Sequence, residues 1–344
     1  MTARSTIFGK TPYFGALDGL RALSILPVVW HHATPHPLDG VLGRGPLGVD
    51  LFFAISGFLI TTLLLREREE RGSVALGAFY ARRSLRIFPL YYAVLGLFVL
   101  HALLLREHGP VRDHFLRSLP WYVTYTSNWF VDHSVDHAVV FTFAWSLAAE
   151  EQFYLGFPWV LRVTRGILPA ALFMGAVLVV DQAAEREWIA GGPLLLRMLR
   201  SLATPIALGS LAALLLRTRL FTLVDRVLGQ RASPVVMLGL VVAGAIVPWS
   251  LLTVQVLMAM LVVSCCLRED HWLSLPLRAR PLRHIGMVSY GMYLLNVPAI
   301  QMTKRLFPPS LVFVVGLALS VALATLAHAI IEKPFEGLRA RFRR

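Results

Sequence analysis

The chain has 344 residues, of which 56% are apolar and only 15% are charged, and its mean hydropathy is +0.64. A soluble globular domain carries about 25% charged residues, so this composition excludes a soluble globular protein, a disordered chain and a small disulfide-stapled domain. The formal net charge is +13. Such a charge is typical either of a nucleic-acid-binding protein or of a membrane protein with arginine-rich cytoplasmic loops.

Long apolar runs predict an all-α, polytopic membrane protein with about ten transmembrane helices. A helix needs about 20 apolar residues to cross a bilayer, and the runs fall at about 16–34, 47–65, 88–105, 138–161, 167–181, 193–216, 233–249, 250–267, 284–304 and 310–331. The aromatic stretch from Trp121 to Phe130 is too short to cross and is interpreted as interfacial. We expect one membrane domain over residues 1–344, without internal repeats or an appended soluble domain.

The distribution of basic residues predicts the orientation of these helices. With a cytoplasmic N-terminus, 24 of the 33 lysines and arginines fall in cytoplasmic segments and nine fall on the other side. Short cytoplasmic loops are enriched in these residues, so both termini are predicted to be cytoplasmic. Charges spread over many short loops argue against a nucleic-acid partner. The first apolar run carries Asp18 and Arg21, which is not typical of a cleavable signal peptide.

The first run contains ionisable residues that are costly in lipid and are therefore candidates for function. Arg21 and His32 are eleven residues apart, which places them on one helix face, about 16 Å apart along the axis. Asp18 can pair with Arg21, so an ion pair near the inner interface is an alternative role for both. His31 lies about 80° off this face, so His32 is the candidate general base. An interfacial histidine is the alternative.

The second run begins with Asp50, which we expect at the same end of the membrane as His32. Asp50 could orient the His32 ring and stabilise its imidazolium, and it could also cap its own helix. Ser56 and Gly57 follow in this run. Small residues favour the close approach of a neighbouring helix, and that role is preferred to a nucleophilic one for Ser56.

Arginines cluster just before the third run. Arg82, Arg83 and Arg86 would share one helical turn, and arginine forks bind phosphates well. A phosphate-binding site is therefore predicted here. The alternative is an ordinary cytoplasmic loop, in which arginines are common.

The fourth run places Ser146, Glu150 and Tyr154 at i, i+4 and i+8, on one helix face. Two adjacent glutamates, Glu150 and Glu151, are difficult to explain by packing, because a buried carboxylate needs a polar cavity or a proton. An ion pair with Arg21 is the main structural alternative.

Two later runs contain further features. Asn296 is the most deeply placed polar residue of the ninth run. The adjacent Cys265 and Cys266 are interpreted as core packing, since two cysteines cannot form a four-ligand zinc site.

Six segments in order resemble the acyltransferase-3 superfamily of integral-membrane O-acyltransferases. They lie between residue 16 and about residue 336, and read ALDGLRALSILPVVWHH, GVDLFFAISGFLIT, FYARRSLRIFPLYY, WSLAAEEQFYL, IGMVSYGMYLL and IEKPF. The family's pattern of a basic residue, ten residues and a histidine falls on Arg21 and His32. Its Arg-two-residues-Arg motif, associated with acyl-CoA, falls on Arg83 and Arg86. Many members carry histidines at two positions that are Phe143 and Asn296 here, and this departure concerns the acceptor pocket.

The resemblance implies a bacterial inner-membrane O-acyltransferase that moves an acyl group, most commonly acetyl, from cytoplasmic acyl-CoA to a hydroxyl of a sugar or glycan. His32 would be the general base, either in direct transfer or by way of an acyl-His32 intermediate, with Asp50 or Glu150 orienting it and Arg21 stabilising negative charge. The remaining residues would bind the donor phosphates (Arg82, Arg83 and Arg86) or line the substrate pocket (Ser56, Ser146, Tyr154 and Asn296).

The partners implied are acyl-CoA, a carbohydrate acceptor and membrane lipid, and no metal is expected. One alternative is acylation of a glycosylated small molecule such as a macrolide. A different class of protein, a glycan transporter or flippase, also needs buried charges within the membrane.

Overall fold

The computed structural model describes residues 13–34, 46–104, 108–131, 141, 143–247 and 249–342. Within these ranges all regular secondary structure is helical, which confirms the predicted fold class. The contacts divide the chain into two compact units. The first unit comprises Met1–Val74, Leu161–Leu178 and Thr204–Thr325, and the second comprises Ala75–Val160, Val179–Ala203 and Leu326–Arg344.

The helices follow one another with short connections. The first nine are α1 Gly15–Ala33, α2 Pro46–Arg71, α3 Leu76–Leu104, α4 Pro110–Arg117, α5 Leu119–Val123, α6 Ser127–Phe130, α7 Ala144–Val163, α8 Leu168–Glu185 and α9 Pro193–Arg200. The next nine are α10 Thr204–Leu215, α11 Phe221–Leu228, α12 Ser233–Ile246, α13 Leu251–Leu267, α14 Ser274–Leu277, α15 Arg280–Met287, α16 Ser289–Leu306, α17 Pro309–Ala327 and α18 Pro334–Arg341. A π-helical segment, His328–Glu332, links α17 to α18.

Five helical stretches of the described chain are long and apolar enough to cross a membrane. They are α2, α3, α8, the stretch Pro193–Leu215 and the stretch Pro309–Glu332. Helices α11 and α12 meet at a 77° bend and provide a sixth if they form one span. Each of the ten predicted runs overlaps a helix, although residues 138–140 and 142 of the fourth run lie outside the described residues. Multiple apolar helices are therefore present, and the count of ten spans stays a prediction.

Helix α2 is the buried centre of the first unit. Within its apolar window 72% of the residues are buried, against 28% for the stretch Pro309–Glu332. A Cβ atom at Gly57 would lie 2.1 Å from the carbonyl oxygen of Ile206 in α10, and one at Gly209 of α10 would lie 2.2 Å from that of Ala54. Because only glycine allows two helix backbones to come so close, the predicted small-residue contact at Gly57 is confirmed.

Helix α1 packs between α2 and the segment formed by α14 and α15. A Cβ atom at Gly286 of α15 would lie 1.8 Å from the carbonyl oxygen of Asp18, and one at Gly19 would lie 2.3 Å from that of Leu277. These contacts fix the N-terminal end of α1 against α14 and α15. Cys265 and Cys266 of α13 are both buried in the core of this unit, which confirms the packing role predicted for them.

The second unit is built on α3 and α7, with short helices beside them. The Tyr91 hydroxyl of α3 donates a hydrogen bond to the carbonyl oxygen of Tyr122 at 2.8 Å, and the Tyr91 ring stacks on Tyr125 with centroids 4.4 Å apart. Helices α5 and α6 have five and four residues. The aromatic stretch from Trp121 to Phe130 therefore does not cross a membrane as one helix, as predicted.

Candidate active site

Arg21 and His32 lie on the single uninterrupted helix α1. The eleven residues between their positions correspond to about 16 Å along the axis, with both side chains on one face. The helix therefore carries one polar group near each end. The surroundings of these two groups are different and are described in turn.

At the N-terminal end of α1, Arg21 is paired. Its Nη1 atom lies 3.1 Å from Oδ1 of Asp18, and the Tyr13 hydroxyl donates a hydrogen bond to the same carboxylate. Burial and the neighbouring Asp18 carboxylate raise the pKa of the Tyr13 phenol. The Arg283 guanidinium lies 5.9 Å from the Tyr13 ring centroid. The predicted pair of Asp18 and Arg21 is confirmed.

At the C-terminal end of α1, groups from α16 surround His32. Nζ of Lys304 donates a hydrogen bond to the backbone carbonyl oxygen of His32 at 2.8 Å, and the Asn296 carboxamide interacts with the His32 ring. The ring of His31 meets that of His32 edge to face, with centroids 5.6 Å apart. The Nδ1 atom of His32 is buried and has no hydrogen-bond partner among the residues that the structure describes.

Asp50 lies deeper along α1 than the sequence analysis expected. Gly48, two residues before it, packs against Ser24 and Val28, and α2 runs antiparallel to α1 because Phe58 packs on Phe14. Asp50 is therefore on the order of 10 Å from the level of His32 along the helix axis. The helices place these residues at different levels because the backbone contact at Gly48 sets their register.

The Asp50 carboxylate has a partner that the sequence analysis missed. Gln255 of α13, which is 5% exposed, donates a hydrogen bond from Nε2 to Oδ2 of Asp50 at 3.2 Å. Its Oε1 atom is buried and unpaired within the described chain. A single glutamine in the otherwise apolar run 250–267 was the available signal.

In the second unit, Arg83 of α3 joins Glu150 and Tyr154 of α7. Nη2 of Arg83 lies 3.3 Å from Oε1 of Glu150, and the guanidinium carbon lies 3.8 Å from the centroid of the Tyr154 ring. The Tyr154 hydroxyl hydrogen-bonds to Glu150 and to Arg83. The predicted common face of Glu150 and Tyr154 is confirmed, and we call these three side chains the Arg83 cluster.

The other two arginines of the predicted motif lie on the same turn of α3 with different surroundings. Arg82 donates a hydrogen bond to the carbonyl oxygen of Phe342 at 2.6 Å, just after α18, and Arg86 is exposed. Because α3 begins at Leu76, the three arginines belong to one long helix and do not form a separate loop.

The two serines proposed for the substrate pocket lie in different surroundings. Ser146 is buried near the start of α7 and donates a hydrogen bond to the carbonyl oxygen of Phe143 at 3.0 Å. Ser56 is half-buried in α2 beside Gly57.

Glu151 is the second buried acid of α7 and received no role from the motif. It is 8% exposed, and its Oε1 atom has no hydrogen-bond partner in the described part of the chain. Arg83 and Glu150 are its charged neighbours. The adjacent pair of acids was the signal, but the sequence pattern favoured Glu150 because it shares a face with Ser146 and Tyr154.

The candidate residues therefore fall into two sets. The first unit contains Arg21, His32, Asp50, Ser56 and Asn296, and the second contains Arg82, Arg83, Arg86, Ser146, Glu150 and Tyr154. Each set has its own contacts, and His32 is in the first.

Comparison with known sequences assigns this arrangement of residues to a family. The sequence model of the acyltransferase-3 family, described as an acyltransferase domain, matches residues 14–329. No solved structure matches the chain.

Three relatives illustrate the similarity. The peptidoglycan O-acetyltransferase OatA of Listeria monocytogenes is 28% identical over 96% of this chain and 57% of its own length. The O-acetyltransferase OatA of Staphylococcus aureus strain NCTC 8325 is 35% identical over 43% of this chain and 25% of its own length. A protein of Staphylococcus aureus strain COL, provisionally named an O-acetyltransferase, is 38% identical over 45% and 26%. The chain thus spans between 25% and 57% of the length of these curated relatives.

Proposed function

The chain belongs to the acyltransferase-3 family, and we propose that it is a membrane O-acetyltransferase that moves an acetyl group from acetyl-CoA to a hydroxyl of a cell-envelope glycan. The observation that carries the proposal is the pair Arg21 and His32 on one helix inside a family match that covers residues 14–329. The names of the relatives support a glycan acceptor over a macrolide, because one of them is a peptidoglycan O-acetyltransferase. The family assignment also favours acyl transfer over glycan transport.

In the proposed reaction, His32 is the general base. Its unprotonated ring nitrogen takes the proton of the acceptor hydroxyl as the oxygen attacks the thioester carbonyl. The C–S bond then breaks, the acetyl ester forms, and the imidazolium returns its proton to the coenzyme A thiolate. A general base of this kind contributes about 10²–10⁴-fold to the rate.

Arg21 lies too far from His32 to act on the same carbonyl oxygen. Their separation of about 16 Å along α1 suits a long donor substrate, whose phosphates and thioester are far apart. We therefore assign Arg21, held by Asp18, to binding the donor between its phosphates and its thioester.

The arginines of α3 fit a donor-phosphate site in different ways. Arg86 is exposed and is available to an anion in solution. Arg83 is fixed by Glu150 and Tyr154, so it contributes a positioned charge, and Arg82 has a backbone partner in Phe342. We propose that Arg86 and Arg82 contact the phosphates and that the Arg83 cluster supports this turn of α3.

We further propose ten spans with both termini cytoplasmic, in the bacterial inner membrane. Five or six apolar helices and the uneven distribution of arginines support this topology. The two native cysteines are buried, so single cysteines can be introduced for labelling with little background. Arg219→Cys is expected to react only from the cytoplasmic side and Asp113→Cys only from the outside. Labelling of both from one side would refute the topology.

The acceptor is tested in cells that lack their own peptidoglycan O-acetyltransferase. Expression of the wild-type chain is expected to add acetyl groups to cell-wall sugars, measured by mass spectrometry of digested wall fragments. Base treatment, which cleaves esters, should remove the added mass. An unchanged wall from cells that contain the protein in their membrane would refute a peptidoglycan acceptor.

A further inference from the structure

Asn296 is a fully buried polar group of α16, next to His32. Its Nδ2 atom donates hydrogen bonds to the backbone carbonyl oxygens of Met292 at 3.1 Å and Tyr293 at 2.7 Å. These bonds use both N–H donors of the carboxamide and fix its rotation. The oxygen Oδ1 is left as the part of the side chain that still needs a partner.

Two buried atoms without partners belong to this pair of residues. Oδ1 of Asn296 and Nδ1 of His32 are both buried, and neither has a hydrogen bond of good geometry within the described residues, although the carboxamide interacts with the ring. An unpaired buried polar atom costs about 1–3 kcal/mol, so these two neighbours complement each other as acceptor and donor. Catalytic hydrogen bonds are often long in the absence of substrate and shorten when it binds.

We propose that Asn296 is the positioning residue of His32: its Oδ1 accepts a hydrogen bond from Nδ1–H of the imidazole and thereby fixes the tautomer whose lone pair is on Nε2. Nε2 is then the atom that removes the proton of the acceptor hydroxyl. This inference rests on the proposed function of His32. It gives Asn296 the orienting task that the sequence analysis assigned to Asp50 or Glu150. A carboxamide orients the ring without placing another charge in the membrane.

The kinetic test compares variants of one helix. Asn296→Leu has a similar volume but no acceptor, and is expected to lower kcat by about 10- to 100-fold while both KM values stay within about 2-fold. Asn296→Asp keeps an oxygen at this position and should recover a large part of the loss. Thr303→Val is the matched control, because Thr303 is buried on the same helix and its hydroxyl bonds only to Ala299 of α16. Equal kcat for wild type and Asn296→Leu would overturn the proposal.

A spectroscopic test reads the tautomer without relying on activity. Nitrogen-15 NMR of the histidine-labelled protein in liposomes distinguishes Nδ1–H from Nε2–H, and the His32 signal is the one absent from His32→Ala. The wild type is expected to show Nδ1–H, and Asn296→Leu a mixture or Nε2–H. The same tautomer in both proteins would overturn the proposal. If the tautomer changes while kcat does not, the positioning contact stands and the catalytic role of His32 is what fails.

Discussion

The C-terminal end of α1 and the Arg83 cluster both hold polar groups within a helical protein, but their contacts differ in kind. In the Arg83 cluster, the guanidinium, the Glu150 carboxylate and the Tyr154 hydroxyl contact one another. At the end of α1, His32 and Asn296 each present a buried atom without a partner in the described chain. Mutual pairing is what a supporting cluster needs, whereas unsatisfied groups are available to a reaction.

This difference predicts that the two regions fail in different ways when they are altered. Loss of His32 should stop the chemistry and leave the fold, since few of its polar contacts support the structure. Loss of Arg83 should weaken the fold and the binding of the donor, because it leaves Glu150 without its ion-pair partner. The following predictions are ordered from the largest effect to the smallest.

The largest effect is expected from His32→Ala. Removal of the general base should lower kcat for acetyl transfer by about 10²–10⁴-fold, with membrane insertion and the thermal midpoint close to those of wild type. His31→Ala is the matched control, because the two rings are adjacent and only His32 shares a face with Arg21. Kinetics with purified proteins measure both. If His31→Ala is the inactive variant, the assignment of the base to His32 is wrong.

A loss of folded protein is expected from Gly57→Leu. Its side chain would collide with the Ile206 backbone in α10, since even a Cβ atom would lie 2.1 Å from the carbonyl oxygen, and the cost should exceed about 3 kcal/mol. Gly96→Ala is the control, because nothing lies within 4 Å of a Cβ atom there and alanine favours a helix. Thermal stability in detergent compares them. A Gly57→Leu protein as stable as wild type would contradict the close packing of α2 on α10.

An intermediate effect is expected from Arg83→Gln. Unfolding should become easier by about 1–3 kcal/mol, and the KM for acetyl-CoA should rise more than kcat falls. Adding Glu150→Gln should restore part of the stability, because the two residues are in contact and their effects are not additive. Arg86→Gln, at an exposed position one turn away, is the control for stability. Strictly additive losses in the double variant would show that the Arg83 cluster is not a unit.

The smallest effect is expected from Glu69→Gln. Its carboxylate lies 2.7 Å from Arg217, but the Glu69 side chain is 53% exposed. An exposed ion pair contributes about 0–1 kcal/mol, so stability should change by less than about 0.5 kcal/mol and activity should not change. A larger loss than that of Arg83→Gln would reverse the comparison between paired surface charges and paired interior ones.

Local spacing explains what the sequence could predict. The pair of Asp18 and Arg21, the common face of Arg21 and His32, and that of Glu150 and Tyr154 depend on the geometry of one helix. The close contact at Gly57 followed from the small side chain of that residue. All of these appear in the structure as predicted.

Contacts between helices explain what the sequence could not predict. Arg83 and Glu150 are separated by 67 positions and Asp50 and Gln255 by 205, and one sequence does not show which helices pack together. The level of Asp50 depends on the backbone contact of Gly48 with Ser24. The partner of His32 likewise depends on how α16 packs against α1.

The most direct test of the proposed function uses purified wild-type protein and His32→Ala in liposomes, with radiolabelled acetyl-CoA and peptidoglycan fragments. The account predicts that label moves to the fragments as a base-labile ester with wild-type protein, and that His32→Ala transfers at most about one hundredth as much. Equal transfer by His32→Ala would contradict the role of His32. No transfer by a folded wild-type protein that binds both substrates would contradict the proposed activity.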